Sequence, residues 1–155
     1  KKKRVKKIIL MEDSINWEPP IFSFPKSLGE RKWGKEEILE SSSGKWTMKK
    51  LFIKAGSKGG LQYHRLKDEG GFLISGKLII RYPDEKNNLT DRLVKAGESF
   101  HFPPYCIHQE EAITDCIIIE VSTPHLNDRV RVEEKFGLNI SEGLPSTKYE
   151  EIIEI

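Results

Sequence analysis

Four residues with metal-binding side chains lie in two short stretches of the sequence: Gln62, His64, Glu69 and His108. Side chains on a β-strand alternate between its faces, so Gln62 and His64 face the same way, and a turn after Leu66 can bring Glu69 back beside them. His108 follows two prolines, which end one strand and let the next begin with the imidazole pointing inward. Two imidazoles, one carboxylate and one amide oxygen suit a divalent cation, with water at the open positions. The pattern predicts a metal site, and its alternative is a polar patch without metal.

Short β-strands would position these ligands. The predicted strands are rich in β-branched and aromatic residues, are separated by turn residues, and cover residues 46–54, 61–66, 72–74, 77–82, 89–94, 99–102 and 113–122. Strands at this spacing predict an all-β sandwich or barrel. Residues 11–45 contain prolines and a serine run, which predict a loop-rich lead-in with short strands at most. Asn127 or Asp128 could cap a short C-terminal helix that Gly137 ends.

Charge and composition divide the chain into parts. Residues 1–7 hold six of the 26 Lys and Arg residues, which leaves 20 basic against 24 acidic residues elsewhere, a net charge of −4. Bases and acids alternate over this body, so no nucleic-acid surface is predicted. We expect no membrane partner, because no apolar run approaches the roughly 20 residues of a membrane span. Two cysteines, Cys106 and Cys116, without a C-x-x-C spacing agree with a cytoplasmic location. We predict one domain over 31–140, after a basic, loop-rich lead-in over 1–30 and before a tail over 141–155.

The ligand spacing resembles the two motifs of the cupin family, whose fold is a double-stranded β-helix, or jelly-roll barrel. The residues that match the motifs are Gly56, Gln62, His64, Glu69 and Gly76, then Gly97, Pro103 and His108. Four ligand matches at two fixed spacings favour the metal site over a polar patch. A Gln-x-His followed by Glu is similar to the zinc site of type II mannose-6-phosphate isomerases. Further segments occur in the same order as in the cupin domain of those enzymes: Trp33-Gly34, Leu61-Gln62-Tyr63-His64, Ile119-Glu120-Val121 and Phe136-Gly137.

An isomerase site of this kind needs a proton carrier in addition to the metal ion. A divalent ion with one carboxylate ligand and otherwise neutral ligands keeps a positive charge, so it could act as a Lewis acid on a sugar oxygen and favour an enediolate. A base within hydrogen-bond reach must then move a proton between adjacent carbons. The candidates, in order of preference, are Glu120, Lys67 and His101. Each candidate has an alternative, purely structural role. Glu120 could cap a strand edge, Lys67 could belong to a turn, and His101 could cover the outer sheet.

The resemblance leaves three functions open. The first is an isomerase or epimerase of a sugar phosphate or nucleotide-linked sugar, with zinc as the first choice of metal and manganese, iron or nickel as alternatives. The second is a non-haem iron oxygenase, because His64, Glu69 and His108 alone make a two-histidine, one-carboxylate triad. The third is a metabolite-binding cupin without turnover, since Gly70 and Gly71 follow Glu69 where the isomerases have His and Trp. Related barrels cover exposed edges by dimerisation, so we expect a homodimer with an added or swapped strand from residues 8–24.

Overall fold

The computed structural model describes residues 17–140 and 142–154, and this part of the chain is nearly all β-structure. Its strands, in chain order, are β1 (Lys26–Arg31), β2 (Gly34–Glu40), β3 (Thr47–Ile53), β4 (Gln62–Tyr63), β5 (Glu69–Ser75), β6 (Lys77–Pro83), β7 (Leu89–Lys95), β8 (Ser99–Phe102), β9 (Gln109–Ala112), β10 (Cys116–Ser122) and β11 (Val130–Arg131). Two short 3-10 turns, Glu133–Phe136 and Tyr149–Glu151, complete them. The predicted all-β architecture is confirmed. The basic residues 1–7, and residues 8–16 of the predicted added strand, lie outside the described residues.

The strands form two layers. One layer is a six-stranded antiparallel sheet in the order β1-β2-β3-β10-β5-β8. The other contains the sheet β7-β6-β9 and the pair β11-β4. Two backbone hydrogen bonds between Gln62 and His108, with N···O distances of 3.0 and 2.9 Å, connect these two parts. The second layer therefore continues across the point where two predicted ligands lie.

Alternation along the strands builds an apolar core between the layers. Leu73 and Ile118 from the six-stranded sheet and Leu78, Ile80 and Val94 from the opposite sheet are buried in one cluster. Burial of each such side chain stabilises the fold by about 1.5–3 kcal/mol. This core holds the two layers together. The other end of the same interior is polar.

The polar end of the interior is built by the same alternation. On β10, Glu120 follows the buried Ile118 by two positions and therefore faces inward, directly opposite Lys49 on β3. Two residues further along β10, Ser122 lies opposite Glu69 on β5. The hydroxyl oxygen of Ser122 is 3.0 Å from that of Thr47. The centre of the six-stranded sheet thus presents charged groups to the enclosed space.

The strand predictions need two corrections. Residues 26–40 form the full strands β1 and β2 instead of a loop-rich lead-in, and β1 crosses the predicted domain start at residue 31. The polar sequence of β2 does not favour a strand by itself, but its pairing with β3, from Gly34 opposite Ile53 to Glu40 opposite Met48, supplies the hydrogen bonds. The strand β9 was not predicted either, because three of its four residues are polar.

The predicted short C-terminal helix is present as a 3-10 helix that ends at Gly137, but it begins later than predicted. Neither Asn127 nor Asp128 caps a helix; the chain forms β11 and then the 3-10 turn Glu133–Phe136, which begins after Val132. Gly137 does end this turn, with a φ of 70° that favours glycine. Among the described residues, no helix has the length and apolar character that a membrane span requires.

Candidate metal centre

Three of the four predicted ligands converge between the two layers. His64 follows β4, Glu69 is the first residue of β5, and His108 precedes β9. All three side chains are buried, and their ligand atoms lie within 4.8 Å of one another. Glu69 Oε1 is 3.2 Å from His64 Nε2 and 3.5 Å from His108 Nε2. Two imidazoles and a carboxylate around one point could hold a divalent cation.

Backbone carbonyls orient both imidazoles. His64 Nδ1 is 2.5 Å from the carbonyl oxygen of Asp128, and His108 Nδ1 is 2.9 Å from that of Cys106. A carbonyl oxygen only accepts hydrogen bonds, so each Nδ1 carries a proton and each Nε2 faces Glu69. Histidines that bind metals are commonly fixed by such contacts. The donor set therefore fits a metal ion, because both rings present the coordinating nitrogen to the same point.

The turn that carries the ligands is held by Asp128. Its Oδ2 accepts hydrogen bonds from the backbone N–H groups of Leu66 and Lys67, at 2.6 and 2.9 Å. Burial would raise the pKa of Asp128, but these N–H groups outweigh burial and lower it. The residue that was expected to cap a helix instead fixes the turn between His64 and Glu69.

A lysine and a second carboxylate extend the cluster. Lys67 Nζ lies 2.5 Å from Glu69 Oε2 and 3.5 Å from Glu120 Oε1. Burial would lower the pKa of Lys67, but the two carboxylates outweigh burial and raise it. Burial would raise the pKa of Glu69, but Lys67 and the two histidines hold it well below its usual range. Burial and the negative charge of Glu69 raise the pKa of Glu120.

His108 is held on a third side by an aromatic ring. Phe102 stacks on its imidazole with ring centroids 3.8 Å apart and planes 14° apart. Burial would lower the pKa of His108, but the hydrogen bond with Cys106 and the contact with Glu69 outweigh burial and raise the pKa to about 10. A cation that binds Nε2 at neutral pH must displace this proton.

Gln62, the fourth predicted ligand, lies directly opposite His108 in an antiparallel pair. Directly opposed residues of such a pair project to the same face, so the Gln62 amide shares the face of the imidazole. The role of Gln62 as a ligand stays a prediction.

Three charged residues near the cluster were not predicted. Lys49 pairs with Glu36 at 2.6 Å, and both side chains are largely buried. Glu110 follows His108 by two positions, so on β9 it faces the interior from the opposite layer. Burial and the charges of Glu69 and Glu120 raise the pKa of Glu110 to about 7. On β3 and β9, side chains at alternate positions face the interior. This pattern is the sequence signal that could have identified the interior positions of Lys49 and Glu110.

His101, the third predicted proton carrier, does not join the cluster. It lies on β8, its side chain is 64% exposed, and its Nε2 is 2.6 Å from Asp68 Oδ1. The neighbouring strand positions Phe100 and Phe102 face the interior in its place. His101 also contributes to the lining of the cavity between β7 and β8, and its role as a proton carrier stays a prediction.

A cavity of about 510 Å³ opens beside the cluster, between the edge strands β7 and β8. Its inner wall is apolar and aromatic, with Ile80, Val94, Phe100 and Phe102, and His108 lies in its lining. Sites of this volume typically bind small molecules. The cavity therefore offers a place for a ligand that reaches His108.

Comparisons with known proteins support the fold. No protein-family model and no curated protein matches the sequence. The structure is similar to KdgF from a Halomonas species, with a TM-score of 0.56 and 15% identity over 68% of this chain and 94% of that chain. It is also similar to a variant of oxalate decarboxylase from Bacillus subtilis, with a TM-score of 0.60 and 17% identity over 88% of this chain and 46% of that chain.

A third similar structure is CapF, a capsular polysaccharide assembling protein from Staphylococcus aureus, with a TM-score of 0.57 and 17% identity over 70% of this chain and 34% of that chain. The oxalate decarboxylase has Mn(II) centres. The chain spans about half of the decarboxylase and about a third of CapF. The finer resemblance to mannose-6-phosphate isomerases stays a prediction. The chain has the cupin fold, a double-stranded β-helix with a buried His-Glu-His cluster inside it.

Proposed function

We propose that the protein is a metal-dependent isomerase or epimerase of a sugar derivative, such as a sugar phosphate or a nucleotide-linked sugar. The observation that carries this proposal is the position of Glu69. Its Oε1 lies near the two histidines and its Oε2 contacts Lys67, which in turn lies 3.5 Å from Glu120. A carboxylate that could bind a cation is thus linked to groups that could move a proton, and a proton shift between adjacent carbons requires both.

Each residue has a proposed role. The proposed ligands are Gln62, His64, Glu69 and His108. When bound, a divalent cation supplies a Lewis acid for a carbonyl or hydroxyl oxygen of the substrate. Glu120 is the proposed base, because it faces the interior from the central strand β10, where its position is fixed by two neighbouring strands. Lys67 is the proposed positioning residue, since its ammonium contacts both Glu69 and Glu120 and holds the two carboxylates together. Zinc is the proposed metal, with manganese, iron and nickel as alternatives.

Exchange of solvent deuterium into the substrate would test this proposal. Metal-loaded protein is incubated in D₂O with aldose and ketose phosphates, nucleotide-linked sugars and unphosphorylated sugars, and deuterium at carbon is measured by mass spectrometry. We expect exchange into at least one sugar class, a loss of about 100-fold or more in Glu120→Gln, and loss of both metal and exchange in His64→Ala.

Glu37→Gln is a matched control, because Glu37 lies in the same sheet opposite Lys50 and faces outward. It should exchange at the wild-type rate. Metal-loaded protein that binds a sugar but exchanges no deuterium across the panel would show a binding protein without turnover, and the isomerase proposal would be abandoned.

A non-haem iron oxygenase is the second candidate. The three converging side chains, without Gln62, are two histidines and one carboxylate, which suits Fe(II) with open positions. Metal analysis of protein purified without added ions separates the two candidates. Iron together with oxygen uptake would favour the oxygenase, whereas zinc or manganese without oxygen uptake would favour the isomerase.

A further inference from the structure

The wall of the cavity between β7 and β8 contains an aromatic ring that fits only because a glycine lies beneath it. Gly71 on β5 lies directly opposite Phe100 on β8. Gly71 alternates with the buried Glu69 and Leu73 and therefore belongs to the inward face of the sheet. A Cβ atom at Gly71 would lie only 2.3 Å from Cζ of the Phe100 ring. The ring thus lies over Gly71, in space that a larger residue would fill.

The Phe100 ring connects the cavity with the charged cluster. Glu120 on β10 lies opposite Gly71, so Glu120, Gly71 and Phe100 form one row across the sheet. Neighbouring strands are about 4.8 Å apart, so the tip of the ring lies about one strand spacing from the strand that carries Glu120. On its other side, Phe100 contacts Phe102 with ring centroids 5.0 Å apart, and Phe102 stacks on His108. The aromatic wall of the cavity thus extends from the proposed base to a proposed metal ligand.

The mouth of the cavity carries a positive charge. Arg92 on β7 lies opposite Ile80 and two positions before the buried Val94, so it belongs to the inward face, and it lines the cavity. Its guanidinium is 4.0 Å from the carboxylate of Glu98, and the two side chains are 68% and 45% exposed. An exposed ion pair at this distance contributes little stability. An anionic ligand could therefore replace Glu98 beside Arg92 at small cost.

We propose that the cavity binds a sugar that carries a phosphate group, with an apolar face of the sugar ring on Phe100 and the phosphate at Arg92, so that these two residues determine specificity. This inference rests on the proposed function and names its substrate class. The C–H groups on one face of a sugar ring suit the negative face of an aromatic ring. A guanidinium binds phosphate through paired hydrogen bonds. The acids around the proposed metal centre disfavour a further anion there, which directs the phosphate to the mouth.

Two adjacent glycines provide a matched test of the contact with Phe100. Gly71→Ala adds a Cβ atom that must displace the ring, whereas a Cβ atom at Gly70 would make an ordinary contact of 3.8 Å or less, 3.7 Å from the carbonyl oxygen of Phe100. Binding of hexose 6-phosphates and of the same unphosphorylated hexoses to the metal-loaded full chain is measured by ligand-observed NMR. Affinity for both should fall about tenfold in Gly71→Ala and in Phe100→Leu. It should not change in Gly70→Ala.

Arg92→Gln tests the phosphate contact separately. It should lower the affinity for phosphorylated hexoses about tenfold and leave the affinity for the unphosphorylated hexoses unchanged. Lys95→Gln is its control, because Lys95 is exposed on the same strand and follows the inward-facing Val94, so it faces outward. UDP-glucose, a nucleotide-linked sugar, is measured beside the hexose 6-phosphates. The tighter of the two classes identifies the source of the phosphate group.

The outcomes separate this inference from the proposed activity. Wild-type protein that binds no phosphorylated probe more tightly than the hexoses would overturn the inference. Unchanged affinity in Phe100→Leu, in protein whose metal content and thermal unfolding show that it is folded, would also overturn it; this variant replaces Gly71→Ala if the latter does not fold. Binding that follows the expected pattern without deuterium exchange would support the assignment of the cavity and reject only the isomerase activity.

Discussion

Each histidine in the cluster is limited to one role by its hydrogen bonds. The carbonyls of Asp128 and Cys106 hold the Nδ1 protons, so that only Nε2 of each ring can exchange a proton or bind a cation. Glu69 lies between these nitrogens and Lys67, and it therefore stays ionised whether or not a cation is present. The site is thus preorganised for a cation, and the main competitor of the cation is the proton on His108.

That competition predicts a pH dependence of metal affinity. The pKa of His108 in the metal-free protein is raised to about 10, so its Nε2 is protonated at neutral pH. Metal binding releases this proton, and affinity should rise by up to about tenfold per pH unit as the pH approaches 10. Isothermal titration with zinc or manganese in buffers of different ionisation enthalpy would count the protons released.

The control for this dependence is His125→Ala. His125 pairs with the exposed carboxylate of Glu154 and lies outside the cluster. This variant should keep the wild-type pH profile. An affinity that does not change between pH 6 and pH 9, measured with a competing chelator of known pH behaviour, would contradict the assignment of His108 as a ligand.

Among the connecting elements, the turn before β5 links two of the proposed ligands, His64 and Glu69, and is held by Asp128. Asp128→Ala should destabilise the fold by about 2–4 kcal/mol, because the part-buried N–H of Leu66 and the buried N–H of Lys67 lose their acceptor. It should also lower metal affinity by about 10–100-fold, because the turn no longer holds His64 and Glu69 in place. Chemical denaturation and metal titration measure the two effects. Asp128→Asn keeps one acceptor oxygen and should cause smaller losses; equal losses in both variants would show that the hydrogen bonds are not the cause.

A comparison of two glycines can separate the energetic cost of an unfavourable backbone conformation from the cost of a packing clash. Gly76, between β5 and β6, and Gly97, between β7 and β8, have nearly equal φ angles of 96° and 94°. A Cβ atom at Gly76 would lie 2.3 Å from the carbonyl oxygen of Asp115, whereas at Gly97 nothing lies within 4 Å. Alanine at either position should cost about 1–2 kcal/mol for the left-handed conformation. Alanine at Gly76 should cost about 1–3 kcal/mol more for the clash. Equal unfolding free energies for the two variants would refute the packing role.

Much of the barrel could be predicted from the sequence, because its central strands are apolar and well separated by turns. β1, β2 and β9 could not, since they are polar segments that become strands only by pairing with stronger neighbours. The same limit applies to the site. His64, Glu69 and His108 were predicted from spacing, whereas the interior positions of Lys49 and Glu110 depend on where each strand begins and on which face it presents.

Across the whole molecule, the interior holds more negative than positive groups in the part of the chain that the structure describes. The four acids Glu36, Glu69, Glu110 and Glu120 share this interior with three positive groups, Lys49, Lys67 and the protonated His108. Burial and this excess of negative charge together raise the pKa of Glu110 to about 7. An acid with a raised pKa favours the folded state fully below its unfolded pKa, and this contribution is lost as the pH rises through about 7. The metal-free protein should therefore lose stability from about pH 5 to pH 8.

Removal of the metal should reveal the destabilising effect of this excess of interior negative charge. A cation at one hundred times its dissociation constant adds about 2.7 kcal/mol to the folded state, which corresponds to a rise in melting temperature of roughly 5–10 °C for a chain of this size. Scanning calorimetry with a chelator and with added zinc, manganese, iron or nickel would measure this rise. The rise should be larger at pH 8 than at pH 6, because a cation offsets interior charge that protons neutralise at the lower pH. Glu69→Gln removes the only carboxylate among the proposed ligands and should abolish the rise. A melting temperature that none of these ions changes would show that the cluster is a polar interior without metal.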